Sequence, residues 1–398
     1  MRLLVGLMAL GAGYFGWQWY CEQPSEADAS GSVAHLYRPV DEGGDAPATA
    51  AQNLDRAEKP AVAKTATATS PAPLQARSED RLVRGILTAH DSALKIGFRE
   101  LQAAAAPARA KILEALSRAA ATANDIDARL RLLGDGNAFL HSGSGRKLLH
   151  RVLLDIQRMD REKGIVKSTT LLEKCMRGPI AKSDQAAYEA VNAAYRVHLR
   201  LVDQVTFSPT RMTKARSYKV KPGDVLDRIA RRFRRQGILV DGWTLCFVNR
   251  IGRPNLLQAG KTIKIPVEPI WAKLEKESFL FAVYIGKTIV RLYWVGHGGE
   301  ECSTPETTFT VAEKLTNPDW SAPDGETYPF GHPKNVLGRH FVKFGHESLH
   351  GFGAHGTTEP ETIRTRSSLG CIRMRGQDIE EFSRLFPRGC KVVVAASR

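Results

Sequence analysis

The sequence predicts a multidomain fold: an α-helical spacer, a small βααβ module and a mainly-β C-terminal domain. Three observations predict it. Apolar residues recur at three- and four-residue steps between 81 and 206, a Pro222-Gly223-Asp224 turn joins a short alternating strand to an amphipathic helix, and β-branched and aromatic runs dominate after Pro269. At 398 residues the chain exceeds what one hydrophobic core usually organises.

The first element, residues 1–21, is apolar. Leu3 to Tyr20 carries no charge, with Arg2 before it and Glu22, Glu26 and Asp28 after it. Eighteen helical residues reach roughly 27 Å, near the thickness of a bilayer's hydrocarbon core. The positive end stays on the cytoplasmic side, so the expectation is an inner-membrane anchor in the cell envelope, with the rest facing the periplasm. A cleaved signal segment, leaving an exported protein, is the alternative. Residues 22–80, rich in Ala, Ser, Thr, Pro, Asp and Glu, are expected to form a disordered linker. The net charge of +15 favours anionic partners. An exported chain meets wall carboxylates and lipid head groups, so no nucleic-acid partner is expected.

Residues 81–206 read as helix. Leu82, Ile86, Leu94, Ile112, Leu116 and Leu130 mark its early part, a run follows from Lys147 to Arg158, and Ala187, Val191, Ala194, Tyr195, Leu199 and Val202 share one face of another from 183 to 205. Nothing there specifies chemistry, and a self-packed spacer domain is expected.

Residues 217–266 begin Ser217-Tyr-Lys-Val-Lys-Pro-Gly-Asp-Val-Leu226 and close with Gly260-Lys-Thr-Ile-Lys-Ile-Pro266. With Ile229-Ala230 and Asn249 between them, this segment resembles a LysM module. The resemblance implies a βααβ fold that binds N-acetylglucosamine-containing glycan strands of the wall. The basic stretch Arg231-Arg-Phe-Arg-Arg235 departs from the family pattern, and a spacer without glycan affinity is the alternative.

In residues 277–396, Phe279–Ile285 and Thr288–Val295 flank Gly286-Lys287 as a hairpin, and Gln377–Phe386 reads as helix. His355-Gly356 and Ser367-Ser-Leu-Gly-Cys-Ile-Arg-Met374 stand within this part. A thiol in a plain environment is mostly protonated at neutral pH and needs a base to act as a nucleophile. His355 lies 16 residues before Cys371, and Gly370 lets backbone amides approach a tetrahedral oxyanion. On these residues alone, a buried structural cysteine remains open. The six cysteines form no C-x-x-C pair and no metal spacing. His346-Glu-Ser-Leu-His350 matches H-E-x-x-H, but a strand precedes it and Gly345 and Gly351 bracket barely one turn, so no metal is expected.

Thr304-Pro-Glu-Thr-Thr-Phe-Thr-Val311, Asn317-Pro-Asp-Trp320, Asn335-Val-Leu-Gly338, Phe352-Gly-Ala-His-Gly-Thr357 and Ser368-Leu-Gly-Cys-Ile-Arg-Met374 resemble, in order, the motifs of the YkuD-type L,D-transpeptidase catalytic domain. The resemblance implies Cys371 as nucleophile and His355 as base. Ser368, Gly370, Arg373 and Gly356 would shape the substrate pocket or support the oxyanion, and no cofactor is implied. Arg373 would hold backbone or a substrate carboxylate, or only buttress the loop. Leu369 stands where the family often has His, and Thr307 replaces a glycine. The implied reaction is 3→3 cross-linking of peptidoglycan stem peptides through a cysteine thioester. A catalytically silent wall-binding scaffold and a cysteine L,D-carboxypeptidase or endopeptidase are the alternatives.

Overall fold

The computed structural model describes residues 81–86, 93, 96–97, 106–123, 125–133, 142–212 and 214–395. The expected anchor at 1–21 and linker at 22–80 lie outside the described residues. Among the described residues no helix is long and apolar enough to cross a membrane.

The helical part contains α1 (Ala106–Thr122), α2 (Ile126–Leu133), α3 (Gly143–Arg158), α4 (Arg161–Met176) and α5 (Gln185–Gln204). Side-chain caps start four of them by satisfying N–H groups that lack an intrahelical acceptor, Asp125 accepting from the Ala128 amide at 2.8 Å at the start of α2. Ser142 accepts from the Gly145 amide at 2.9 Å, Asp160 from those of Glu162 and Lys163, and Asp184 from that of Ala187 at 2.8 Å. Within the helical stretch 81–206, α4 is the helix that no apolar run singles out in the sequence. Gly164 and the run Ser168-Thr-Thr170 blunt its apolar period, and only the Asp160 cap announces it.

The C-terminal domain is built on an eight-stranded sheet in the order β13-β11-β10-β7-β14-β3-β4-β5. Its strands are β3 (Ile270–Glu275), β4 (Leu280–Ile285), β5 (Thr288–Trp294), β7 (Thr308–Thr316), β10 (His340–Gly345), β11 (Gly353–Gly356), β13 (Ile372–Met374) and β14 (Lys391–Ala395). Two short pairs flank it: β6 (His297–Gly298) with β12 (Arg366–Ser368), and β8 (Trp320–Ser321) with β9 (Thr327–Tyr328). A single helix, α8 (Gly376–Leu385), packs against β10 and β11. β3 lies in mid-sheet, pairing with β14 and β4. The expected domain start at 277 therefore leaves out a central strand, and the sheet begins at 270.

The helical part is not a free-standing spacer, because its buried residues and those of the sheet form one continuous core. β5 is an edge strand, and α5 supplies partners for its backbone. The Leu292 N–H donates to the Tyr195 hydroxyl at 3.2 Å, and His198 Nε2–H donates to the Ile289 carbonyl at 2.6 Å. Trp294 Nε1–H donates to Asn192 Oδ1 at 3.0 Å. An uncovered edge would template pairing with other chains, so this cover removes a liability. It also explains why β4 is buried at all six positions and β5 at all but its first. Strands covered on both faces read as continuous apolar runs rather than alternating ones.

The 217–266 segment folds as β1 (Ala215–Lys219), α6 (Leu226–Arg234), α7 (Gly242–Val248) and β2 (Thr262–Pro266), with β1 antiparallel to β2. Its own small core contains Val220, Leu226, Ile229, Phe233, Leu245 and Ile263. Buried Asn249 ties the end of α7 to β2, donating to the Leu245 and Lys264 carbonyls and accepting from the Lys264 N–H. Arg291 of β5 joins all three parts. Its guanidinium bonds Glu381 at 2.9 Å and lies 5.1 Å from the ring of Phe207 and 4.8 Å from that of Phe247. Lys314 of β7 adds an ion pair to Asp241 at 2.6 Å.

Candidate active site

Strand register assembles the site. β11 and β13 run parallel with His355 opposite Arg373, so those two side chains leave the same face of the sheet. Cys371 immediately precedes β13, two residues before Arg373. The Cys371 thiol is free, half-buried, and 3.5 Å from the Gly351 carbonyl. Cys390 is a free, buried thiol and Cys302 is disulfide-bonded, so neither blocks Cys371.

His355 is buried, and its Nδ1 lies 2.7 Å from the Gly356 carbonyl. A carbonyl only accepts, so Nδ1 carries the proton and Nε2 keeps a lone pair. Burial pulls the imidazole down to about 4 and pushes the Cys371 thiol up to about 11. The resting pair is therefore thiol and neutral imidazole, not thiolate and imidazolium. For each group the loss of hydration on burial outweighs the backbone contacts that favour its charged form.

The loop before Cys371 is held from several sides. Ser368 donates to the Cys371 carbonyl at 2.6 Å. Gly370 has φ +98°, and a Cβ there would stand 2.6 Å from Phe352 Cε1, so both conformation and space require glycine. Thr304, buried and outside the residues singled out from the sequence, accepts from the Gly298 N–H at 2.9 Å and donates to the Gly370 carbonyl at 2.8 Å. C=O and N–H point oppositely in one peptide unit, so this bond turns the Cys371 N–H away from Thr304. Among the described residues no acceptor meets that N–H.

Arg373 Nη1 pairs with Glu359 Oε2 at 2.8 Å. Its backbone exchanges hydrogen bonds with Gly296 at 2.8 and 2.9 Å. Gly356 supplies the carbonyl for His355, and a Cβ on it would meet Ile379 Cγ2 at 3.3 Å. Leu369 is exposed beside the site. Residues 346–350 form no helix, so His346 and His350 do not share a helical face; His346 instead lies 3.2 Å from the Thr307 hydroxyl.

The model of the L,D-transpeptidase catalytic domain family, YkuD, matches residues 270–394, and that of the LysM domain matches residues 218–266. Residues 270–394 are a YkuD-type L,D-transpeptidase catalytic domain. The LysM domain precedes it at 218–266. Among curated proteins bearing the L,D-transpeptidase name, YqjB of Bacillus subtilis is 29% identical over 132 residues, 33% of this chain and 73% of that protein. YkuD of Bacillus licheniformis is 27% identical over 189 residues, covering 44% and 97%, and YcfS of Escherichia coli is 30% identical over 166 residues, covering 35% and 50%. Among solved structures, an L,D-transpeptidase from Mycobacterium smegmatis is 17% identical with a TM-score of 0.28, over 34% of this chain and 64% of that one. The catalytic domain of the E. faecium L,D-transpeptidase is 19% identical with a TM-score of 0.27, over 32% and 97%.

Within the YkuD-type domain, Glu359 and Thr304 are the contributors that sequence reading passed over. Thr304 stands in a quoted motif, but its reach to Gly370 spans 66 residues and has no local signature. Glu359 follows His355 by four residues, a spacing that hints at proximity in a helix and says nothing in a strand followed by a loop.

Proposed function

We propose that this protein is a peptidoglycan L,D-transpeptidase that joins stem peptides through a thioester on Cys371. The free Cys371 thiol at the start of β13, next to the strand that carries His355, with a Cys371 amide that meets no acceptor among the described residues, is the observation that supports this reading best. The acyl donor is a tetrapeptide stem. Cys371 Sγ attacks the carbonyl preceding the terminal D-alanine while His355 Nε2 takes the thiol proton. The oxygen that becomes negative faces the Cys371 N–H. His355 then returns the proton to the departing amine, and D-alanine leaves. The side-chain amine of a neighbouring stem attacks the thioester, transfers a proton to His355 and releases the thiol, giving a 3→3 cross-link.

Because the resting pair is neutral, proton transfer and attack belong to one step, and His355 acts as a general base. Ser368, Gly370 and Thr304 orient the nucleophile's backbone, and the Arg373–Glu359 pair fixes the far side of β13. The LysM domain supports docking on glycan strands, and residues 3–20 would hold the chain at the inner membrane, facing the periplasm. Membrane fractionation of the full chain tests that last point, with recovery in the soluble fraction counting against it.

The deciding experiment is incubation with disaccharide-tetrapeptide followed by mass spectrometry. Cross-linked dimers with the wild type and none with Cys371→Ala are expected. Accumulation of free tripeptide alone would identify a carboxypeptidase, and no product with an intact carbapenem-unreactive thiol would leave a silent scaffold.

A further inference from the structure

The LysM domain holds more than half of the chain's excess charge. Residues 218–266 contain eleven Lys and Arg against three Asp, a net +8 of the total +15. The charge is arranged. In α6, Leu226, Ile229, Ala230 and Phe233 are buried in the module core, at steps of three, one and three. Arg228, Arg231, Arg232 and Arg235 repeat the same steps two residues later and form a second stripe, all four exposed. Such spacing places neighbouring guanidinium groups side by side along about 10 Å of helix.

None of the four arginines forms an ion pair with a carboxylate among the described residues. Arg228 donates to the Gly223 carbonyl at 3.2 Å, Arg231 to the Asp227 carbonyl at 3.3 Å, and Arg232 to the Tyr218 hydroxyl at 2.9 Å. Of the nearest acids, Asp224 meets Arg232 only through the shared Tyr218 hydroxyl, and neither it nor Asp227 forms a direct ion pair with the stripe. Asp224 accepts from Tyr218 and the Lys221 N–H, and Asp227 Oδ1 is turned toward Gly242 at the start of α7. Arg216 and Lys219 of β1 and Arg388 of the catalytic domain are exposed as well, and Arg234 bonds the Arg388 carbonyl at 3.2 Å.

Cations in a last turn are favoured by the helix dipole, which accounts for Arg231, Arg232 and Arg234 individually. It does not account for Arg228 in the first turn, where the dipole opposes it. Like charges at i, i+3 and i, i+4 repel, so the full stripe works against the isolated helix. An anionic partner would reverse that balance.

We propose that this arginine stripe is a docking surface for the free carboxylates of peptidoglycan stem peptides. It gives the LysM domain a peptide-directed contact in addition to any sugar contact. The proposal rests on the transpeptidase reading, which makes stem peptides the polyanion presented to this molecule. Guanidinium forks match carboxylates bidentately. The Arg291 and Lys314 contacts hold the module against the catalytic domain, so docked stems lie at a set distance from Cys371.

The test is co-sedimentation of the full chain with purified sacculi, comparing wild type with R228Q/R231Q/R235Q. Arg232 is left in place because it lies 5.5 Å from the Tyr218 ring. The triple variant is expected to lose about tenfold or more in affinity at low salt. Wild-type binding should weaken as salt shortens the screening length, and should also weaken on sacculi whose carboxylates have been amidated. R228K/R231K/R235K should keep most of the binding. Equal binding by the triple variant, or by amidated sacculi, overturns the proposal. Preferential wild-type binding to phosphatidylglycerol vesicles over sacculi overturns it in favour of a lipid surface. Carbapenem acylation of Cys371, followed by mass on the same samples, separates the two readings. It should be unchanged in the triple variant, whereas its absence in wild type would remove the catalytic reading and leave the docking result standing.

Discussion

Iodoacetamide alkylates a thiolate far faster than a thiol, so its rate against pH reports the ionisation of Cys371. Burial sets that thiol at about 11, four pH units above neutrality. At pH 7 roughly one molecule in 10⁴ carries the thiolate, a cost of about 5 kcal/mol. His355, pulled down to about 4, is neutral at the same pH and cannot supply a compensating charge at rest. Alkylation should therefore climb about tenfold per unit from about pH 7 to 10 without levelling. Carbapenem acylation should instead stay flat across that range, since it uses the neutral thiol and neutral imidazole together, and should fall only as His355 takes a proton near 4. His355→Ala should leave the alkylation slope intact while slowing acylation about 10²- to 10⁴-fold. A plateau in wild-type alkylation already at neutral pH would show a preformed thiolate and refute the neutral-pair mechanism.

Four further outcomes follow from the geometry. Gly370→Ala should lose acylation and melt lower by several degrees in calorimetry, because its Cβ would meet the Phe352 ring at 2.6 Å in a conformation with φ +98°. Asp378, in the first turn of α8, is buried with Oδ2 unpartnered, and burial pushes its carboxyl up to about 8. The native state then binds a proton that the unfolded chain releases near 4, so stability falls as pH rises from about 4 to 8 and stays low above. Asp378→Asn should stabilise the protein at pH 8 by an order of a few kcal/mol and change little near pH 4, as chemical denaturation will show. Removing residues 81–206 should yield an aggregating catalytic domain in size-exclusion chromatography. The milder Tyr195→Phe should cost about 1–3 kcal/mol by leaving the Leu292 N–H without a partner.

The parts of this protein that follow a local pattern were readable from the residues. The β4–β5 hairpin appeared as two apolar runs around Gly286-Lys287, and α8 and the βααβ segment stood within a residue or two of their observed bounds. The Cys371 and His355 pair was visible as motif. What eluded reading depends on contacts between distant positions. Tyr195 and His198 looked like one helix's apolar face, yet they cap a strand about 90 residues later. β3 alternates buried and half-buried positions but was overshadowed by Pro266 and Pro269, which marked the end of the preceding module. The neutral state of the Cys371–His355 pair depends on burial, which no residue spacing reports.

Arg291 touches Phe207, Phe247 and Glu381 at once, so one side chain from β5 meets all three folded parts. A hinge between the LysM domain and the cleft would have to separate this charge from both its aromatic neighbours and its carboxylate. The two therefore travel as a single caliper, with the gap between the module and the cleft already decided by the fold.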